Sequence, residues 1–435
     1  MKAQIKSALA AGLYLGIGLA HVCSPFWWRS KLRNPFEPEG FELERGAAFW
    51  YRVDQLSQSL RGRANDDARQ RWIDAAHQKA LTMPEGSVGA VDEFDWSSRP
   101  IEEFYEHYLR PCRPVVFRGL MRDHTELRRW RLDRLLEEFA AEEVRLSCPA
   151  NPDYRGKMAE LDIPGVYMHN SESLFARHPR LLRELGVASM AKGIRGPLLY
   201  GGVTQLFAGR KRTGSPWHCA PPQNYFSMLS GRKKWSFIEP SYSPLLAPYH
   251  ASGAAVYWLS ESSEQGEGIA TLLDRLDDRD RQAVLEASTT ELHRKVATMY
   301  TKCPRLEVEL EPGDVLSVPP WWWHKVDNLT EQTVATATRW FDPTAKVAPN
   351  PDLEALLMLR PAPAYNSSLP AFMERLMTLD GELIEDPDLA KPAFDVEAGT
   401  ALTAKAYADV REDVEAYYAR QRAAAEAQSE RSIAS

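Results

Sequence analysis

A tryptophan followed at once by a histidine occurs at Trp217-His218 and again at Trp323-His324, each time in a stretch with the character of a β-strand. Side chains two apart along a strand share a face, so such a segment aims its residues at a defined point. Two segments of this kind, distant in sequence, converge only if strands from both regions share one sheet or one closed barrel. The later segment is built for that. Leu306, Val308 and Leu310 alternate with Glu307, Glu309 and Glu311, Pro312-Gly313-Asp314 makes a turn, and Val315 to Val318 starts a return strand that leads into Trp321-Trp322-Trp323-His324. Thr333 to Trp340 alternates again as a further strand.

The earlier segment reads Ser215-Pro216-Trp217-His218-Cys219-Ala220 and continues through Asn224 to Gly231-Arg232-Lys233-Lys234-Trp235. A lone histidine beside tryptophans is most simply a hydrogen-bonded core residue. Two in matching contexts favour one shared pocket. Lys233 has a bland reading as part of a basic turn and a sharper one as a cation that holds an acid; for Asn224, Ser215 and Arg339 structural or surface hydrogen bonding is the competing reading.

Composition excludes some partners. The 435 residues are 44% hydrophobic and 26% charged, ordinary for a folded chain, and the formal charge of -7 argues against a general nucleic-acid binder. The local patch Arg210-Lys211-Arg212 reads as a solvated loop. The five cysteines, Cys23, Cys112, Cys148, Cys219 and Cys303, are scattered and contain no Cys-x-x-Cys pair, so neither a disulfide scaffold nor a structural zinc site is indicated, and a reducing compartment fits.

Ahead of the histidines, Ile101 to Tyr108 reads as a helix, Pro111 to Pro114 breaks it, Val115 to Phe117 is a short strand, Trp130 to Phe139 an amphipathic helix and Glu143 to Leu146 a strand. That order, with Arg-Pro-Val-Val-Phe-Arg-Gly-Leu from Arg113, resembles the opening of JmjC-type, cupin-like (asparaginyl-hydroxylase-like) oxygenase domains. The run Leu-Glu-Pro-Gly-Asp-Val-Leu-Ser-Val-Pro-Pro-Trp-Trp-Trp-His ending at His324 resembles that family's second-histidine segment closely. The resemblance spans Ile101 to Trp340. It implies a mainly β core, a double-stranded β-helix or cupin-like jelly roll with flanking α-helices, to which the uncharged run near the N-terminus adds an expected apolar helix.

The same resemblance implies Fe(II) and 2-oxoglutarate as cofactors, with His218 and His324 on the metal, Lys233 on the distal carboxylate of the oxo-acid, and Asn224, Ser215 and Arg339 around it. Two histidines and one carboxylate on one face of a ferrous ion leave positions open for the oxo-acid and oxygen. Here the chain departs from the family. Ala220 stands where the His-x-Asp or His-x-Glu carboxylate is expected, Cys219 points to the opposite strand face, and no acid follows before Glu239. Three consequences stay open: an outside ligand, such as water, a halide or a distant carboxylate, completes an iron site; the metal is lost and the fold survives as a binding module; or the pocket holds another metal. The functional expectation is therefore an Fe(II)/2-oxoglutarate-dependent oxygenase-like protein that hydroxylates, or given Ala220 halogenates, a C–H group of a small molecule, lipid or protein side chain. The alternative is a catalytically silent cupin-like binding or scaffolding module at a membrane.

The remaining chain sets the surroundings. From Ser7 to Trp28 there is no charged side chain, a span long enough as a helix, at about 1.5 Å per residue, to cross a hydrocarbon core of roughly 30 Å. An uncleaved anchor, a signal peptide and a buried helix all fit; the expectation is an anchor, with the main domain cytoplasmic. The expected organisation is an apolar anchor or signal-like segment over 1–33, a helical collar and linker over 34–90, a JmjC/cupin-like domain over 91–345 with a helical insertion at about 265–296, and a C-terminal helical region over 346–435 suited to a homodimer contact.

Overall fold

The computed structural model describes residues 40–61, 64–148, 151–163, 165–178, 180–186, 190, 194, 200–220, 222–250, 258–260 and 291–341. The apolar stretch at 7–28, most of the insertion at 265–296 and the C-terminal region at 346–435 lie outside them. Among the described residues no helix is long and apolar enough to cross a membrane.

Two helices come first, α1 (Arg45–Arg61) and α2 (Asp66–Ala80). The break between them is fixed by one buried carboxylate. Asp54 accepts hydrogen bonds from Arg69 Nη1 (2.9 Å), Trp72 Nε1 (3.1 Å) and the Asn65 backbone N–H (3.0 Å), so the turn and both helices meet on a single acid. Asn65 then caps α2 by accepting from the Ala68 N–H.

Short strands β1 (Val88–Ala90) and β2 (Asp92–Glu93) follow, then α3 (Ile101–Phe104), which runs into a π-type turn, β3 (Val115–Phe117), α4 (Leu132–Phe139), β4 (Glu143–Cys148), β5 (Asn151–Lys157) and β6 (Tyr167–Ser171). Helices α5 (Ser173–Arg177) and α6 (Arg180–Leu185) lead to β7 (Tyr200–Gly209), β8 (Gly214–Cys219), β9 (Gln223–Ser230), β10 (Lys233–Ile238), β11 (Pro248–His250) and β12 (Trp258–Ser260). Helix α7 (Glu291–Thr301) precedes β13 (Arg305–Leu310), β14 (Val315–Val318), β15 (Trp323–Asn328) and β16 (Thr333–Phe341).

The strands form two sheets, ordered β1-β13-β10-β15-β8-β12-β11 and β2-β3-β14-β9-β16-β7-β6-β4-β5. Consecutive strands β13 and β14, like β8 and β9, fall in opposite sheets, which is the crossing pattern of a jelly roll. The sheets face each other across a core that takes Trp235, Phe237, Val308 and Val326 from one and Phe226, Met228, Leu316 and Ala337 from the other. Period-2 alternation sends the neighbours outward. Tyr225 and Leu229 pack under α4, α5 and α6, while Trp217, Cys219 and Trp323 meet Tyr51 and Trp72 of the helical collar and Tyr300 of α7. Both outer faces being covered, nearly every residue of β9 is buried.

Two turns bring the site strands into register. Gly231 joins β9 to β10 with φ 76°, and a Cβ there would stand 2.0 Å from the Gln332 carbonyl oxygen, so only glycine fits. Between β13 and β14, Asp314 accepts from the backbone N–H of Gly119 and of Glu311, each at 3.0 Å, and from Arg118 Nη1 at 2.7 Å. Replacing this buried acid with alanine strands those donors, and Asp314→Ala is expected to lower stability by roughly 3 kcal/mol in urea unfolding.

Candidate metal and oxo-acid site

On β8 and β15 the two histidines face each other directly, His218 opposite His324, with ring centroids 4.1 Å apart. Each ring is locked the same way: the Nδ1–H of His218 donates to the Pro216 carbonyl and that of His324 to the Trp322 carbonyl, both at 2.8 Å. In a neutral imidazole that bond leaves the lone pair on Nε2, the atom a metal takes. His324 is further held by Trp235, whose ring stacks on it at 5.3 Å. Burial pushes both histidines down, His218 to about 4, and the nearby Arg339 guanidinium acts on both rings in the same direction. Both are neutral at ordinary pH and ready to ligate.

The bond between the two histidine segments is also direct. The Trp321 N–H donates to the Ala220 carbonyl at 2.8 Å, and buried Trp321 takes φ 64°, a left-handed conformation unusual for so large a side chain. That strain sits beside the histidines, where strained backbone commonly serves a site.

A β-bulge supplies what spacing alone does not. Ser215 and His218 are three residues apart, an odd step that in a regular strand points them to opposite faces. The register between β15 and β8 slips between His324 and Val326, so that Val326 faces Ser215 while His324 faces His218. Both therefore reach the barrel interior, with Ser215 one rung from the histidines, a step of about 7 Å.

Near that rung the hydroxyl of Ser215 favours the ionised form of the Tyr167 phenol, against the stronger effect of burial. Tyr167 Oη in turn lies 3.4 Å from Lys233 Nζ. Lys233 is fully buried and donates also to Asn328 Oδ1, whose Nδ2 is tied to Thr213 Oγ1 at 2.7 Å. No carboxylate is among these partners, and burial lowers the lysine to about 7. Its neighbour Lys234 points outward to Glu307 at 2.8 Å, so the basic run is split by alternation into one internal and one surface cation.

Arg339, on β16, donates from Nε to Gln205 Oε1 (2.7 Å) and from Nη2 to Asn170 Oδ1 (2.9 Å). Gln205 continues to Glu172 at 3.3 Å. Asn224 of β9 lies in register with Arg339 and with Val318, and its Oδ1 is buried without a hydrogen-bond partner; Trp235 Nε1 is in the same condition. Orphaned buried polar atoms inside a barrel are explained by a ligand or by water.

The interior residues fit an oxo-acid: a buried cation with only neutral partners, a phenol hydroxyl beside it and unused polar atoms nearby. They do not complete a metal triad. Among the described residues no group of three or more His, Cys, Asp or Glu side chains is placed to hold a metal, and the position two after His218 is Ala220.

The family comparison agrees with the topology: residues 152–346 match the model of the cupin-like domain. The chain carries a cupin-like domain of the JmjC type. Over 306 residues, 66% of this chain, it is 24% identical to lysine-specific demethylase JMJ21 of Arabidopsis thaliana. The match covers 28% of that larger protein.

Within the cupin-like domain, all six residues singled out in the sequence lie in the barrel strands, with His218 and His324 face to face. Sequence reasoning missed Tyr167, Asn328, Trp235 and Gln205. Tyr167 and Asn328 had a usable signal, polar groups at alternating positions of buried strands, but the partner that makes them informative is on another strand.

Proposed function

We propose that the barrel binds 2-oxoglutarate, or a dicarboxylate of the same length, with one carboxylate on Lys233, Tyr167 and Ser215, and that the protein is an Fe(II)/2-oxoglutarate oxygenase-like enzyme. The observation that carries this is Lys233: a fully buried amine with neutral partners, two rungs along the sheet from two histidines of matched tautomer. In this reading His218 and His324 are the protein's metal ligands and an outside ligand takes the position left by Ala220. Iron with oxygen and the oxo-acid would supply oxidation of a C–H group. A lysine N-methyl group is one such substrate class, the one in the name of the Arabidopsis relative. The chain's own part is to hold the oxo-acid, keep both imidazoles neutral and oriented, and exclude water from the rung between them.

The missing third donor favours a second reading, a silent binding module. Anaerobic addition of Fe(II) and 2-oxoglutarate separates the two. The oxygenase reading expects a charge-transfer absorption in the green and oxo-acid turnover to succinate once oxygen is admitted; the binding module gives neither. Succinate formation compared with and without chloride tests halogenation, which a lack of chloride dependence would remove. A tether through residues 7–28 belongs to the same proposal, and its check is whether the full chain, and not one lacking that stretch, floats with vesicles.

A further inference from the structure

Helix α1 turns polar residues to the core and leaves apolar ones outside. Asp54, Gln55 and Gln58 are buried together with Ala47 and Tyr51, and the polar three are held there by bonds of their own: Asp54 to Arg69 and Trp72, Gln55 Nε2 to the Pro248 carbonyl at 2.9 Å, and Gln58 Nε2 to Asp54 at 3.1 Å. At 3.6 residues per turn the opposite side of the helix carries Phe49, Val53 and Leu56, spaced i, i+4, i+7. Phe49 is 46% exposed, and Val53 and Leu56 are only partly covered. The Trp50 ring meets Phe49 edge to face at 5.1 Å and carries the Arg71 guanidinium of α2 over its own face at 4.9 Å. An amphipathic helix ordinarily lays such a stripe on the core. Here the core is on the other side, and among the described residues the stripe stays open.

Charge narrows what can cover it. α1 carries Arg45, Arg52 and Arg61 against one acid, Asp54, which is buried and bonded to Arg69; the acids ahead of it, Glu42 and Glu44, precede its first turn. The uncharged run from Ser7 to Trp28 has no acid to offer these arginines. The stretch from Leu402 to Ala427 has several. Its apolar positions Tyr407, Val410, Val414 and Tyr417 recur at helical spacing, and among them stand Asp409, Glu412, Asp413 and Glu415 against the single base Arg411. As a helix that stretch would run about 39 Å, enough to cover the roughly 25 Å of α1, with Asp409 and Asp413 along one edge of its apolar stripe. The chain between Phe341 and Leu402, at about 3.3 Å per residue, reaches any face of this protein. A segment tethered in this way meets α1 at a high effective concentration, an advantage that a second molecule lacks.

We propose that residues 402–427 form a helix that packs Tyr407, Val410, Val414 and Tyr417 on Phe49, Val53 and Leu56 of α1 in the same chain, with its acids toward Arg45 and Arg71. The packed segment becomes an outer layer of the collar, whose inner side, Tyr51 and Trp72, backs Trp217 and Trp323 beside the two histidines. Such packing holds whether or not the barrel binds an oxo-acid.

Hydrogen exchange and cross-linking on the full chain test it. Amides within 402–427 exchange at least about tenfold more slowly than those of an unstructured chain, and Phe49→Asp or Val53→Asp removes that protection while strands β13 to β16 keep theirs. Val414→Asp, from the other side of the contact, has the same effect and leaves α1 exchanging faster. The described cysteines are buried, so in a Cys23→Ser background a short bismaleimide joins Val53→Cys to Val414→Cys within one chain. An unprotected 402–427 in the unaltered protein, or protection that ignores both Phe49→Asp and Val53→Asp, overturns the proposal. Cross-links found only between two chains overturn it too and make the face a contact between copies. Loss of binding to anionic vesicles in Phe49→Asp, with exchange in 402–427 unchanged, overturns it in favour of a lipid surface.

Discussion

Lys233→Met is expected to lower affinity for 2-oxoglutarate by about 100-fold or more while leaving the melting temperature unchanged or raising it. The two effects come from one cause. A buried charge with neutral partners costs the ligand-free fold its solvation, of the order of a few kcal/mol, and methionine fills much the same volume without that cost. The same amine, met by a carboxylate, forms a desolvated charge-assisted bond whose removal is expensive. A residue that burdens the empty fold and serves the filled one is what a binding site leaves behind in a stability measurement.

The pH dependence follows with a definite sign. Burial holds Lys233 at about 7, against 10.5 for an ordinary lysine, so between those values the unfolded chain keeps a proton that the folded chain has released. Stability of the ligand-free protein therefore rises with pH across that window from this group. Oxo-acid affinity runs the other way, since the carboxylate requires the protonated amine, and falls by up to about tenfold per unit above pH 7. In Lys233→Met both slopes lose this contribution, which thermal melts and calorimetry at matched pH can read.

Ala220→Asp is the second large effect. Residue 220 lies two positions beyond His218, and the Trp321 N–H already fixes its carbonyl at 2.8 Å, so the backbone there is held independently of the side chain. A carboxylate at this point would join two neutral imidazoles whose free nitrogen positions are set by the Pro216 and Trp322 carbonyls. Affinity for Mn(II) without oxo-acid is expected to rise by about 100-fold or more, and succinate formation with Fe(II) to rise with it. Unchanged metal affinity in a folded Ala220→Asp protein would mean that the histidine pair is not a metal position.

Much of the fold and half of the site are legible in the amino-acid sequence. Leu306 to Val318 announces its strands by alternation, and β13 and β14 occupy those stretches. Gly231 announces the turn that delivers Lys233. The resemblance places His218 and His324 together, and the register does so residue against residue. What the sequence does not carry is what depends on the third dimension. The bulge that brings Ser215 onto the face of His218 leaves no mark in a sequence where Pro216 simply sits between them. Tyr167 acquires meaning only from Lys233, which reaches it from the facing sheet. Arg339 reads in the sequence as one polar contact among several; its importance comes from the histidines it acts on and from the acid that Ala220 does not provide.

The central claim is that the barrel is a dicarboxylate site built on Lys233, and a crystal structure of the metal-free protein with 2-oxoglutarate tests it most directly. The account predicts density for the oxo-acid between the sheets, one carboxylate on Lys233 Nζ and Tyr167 Oη in place of the Asn328 contact, the other beside Arg339 and the two histidines. An empty barrel at saturating 2-oxoglutarate, with Lys233 still on Asn328, would contradict it.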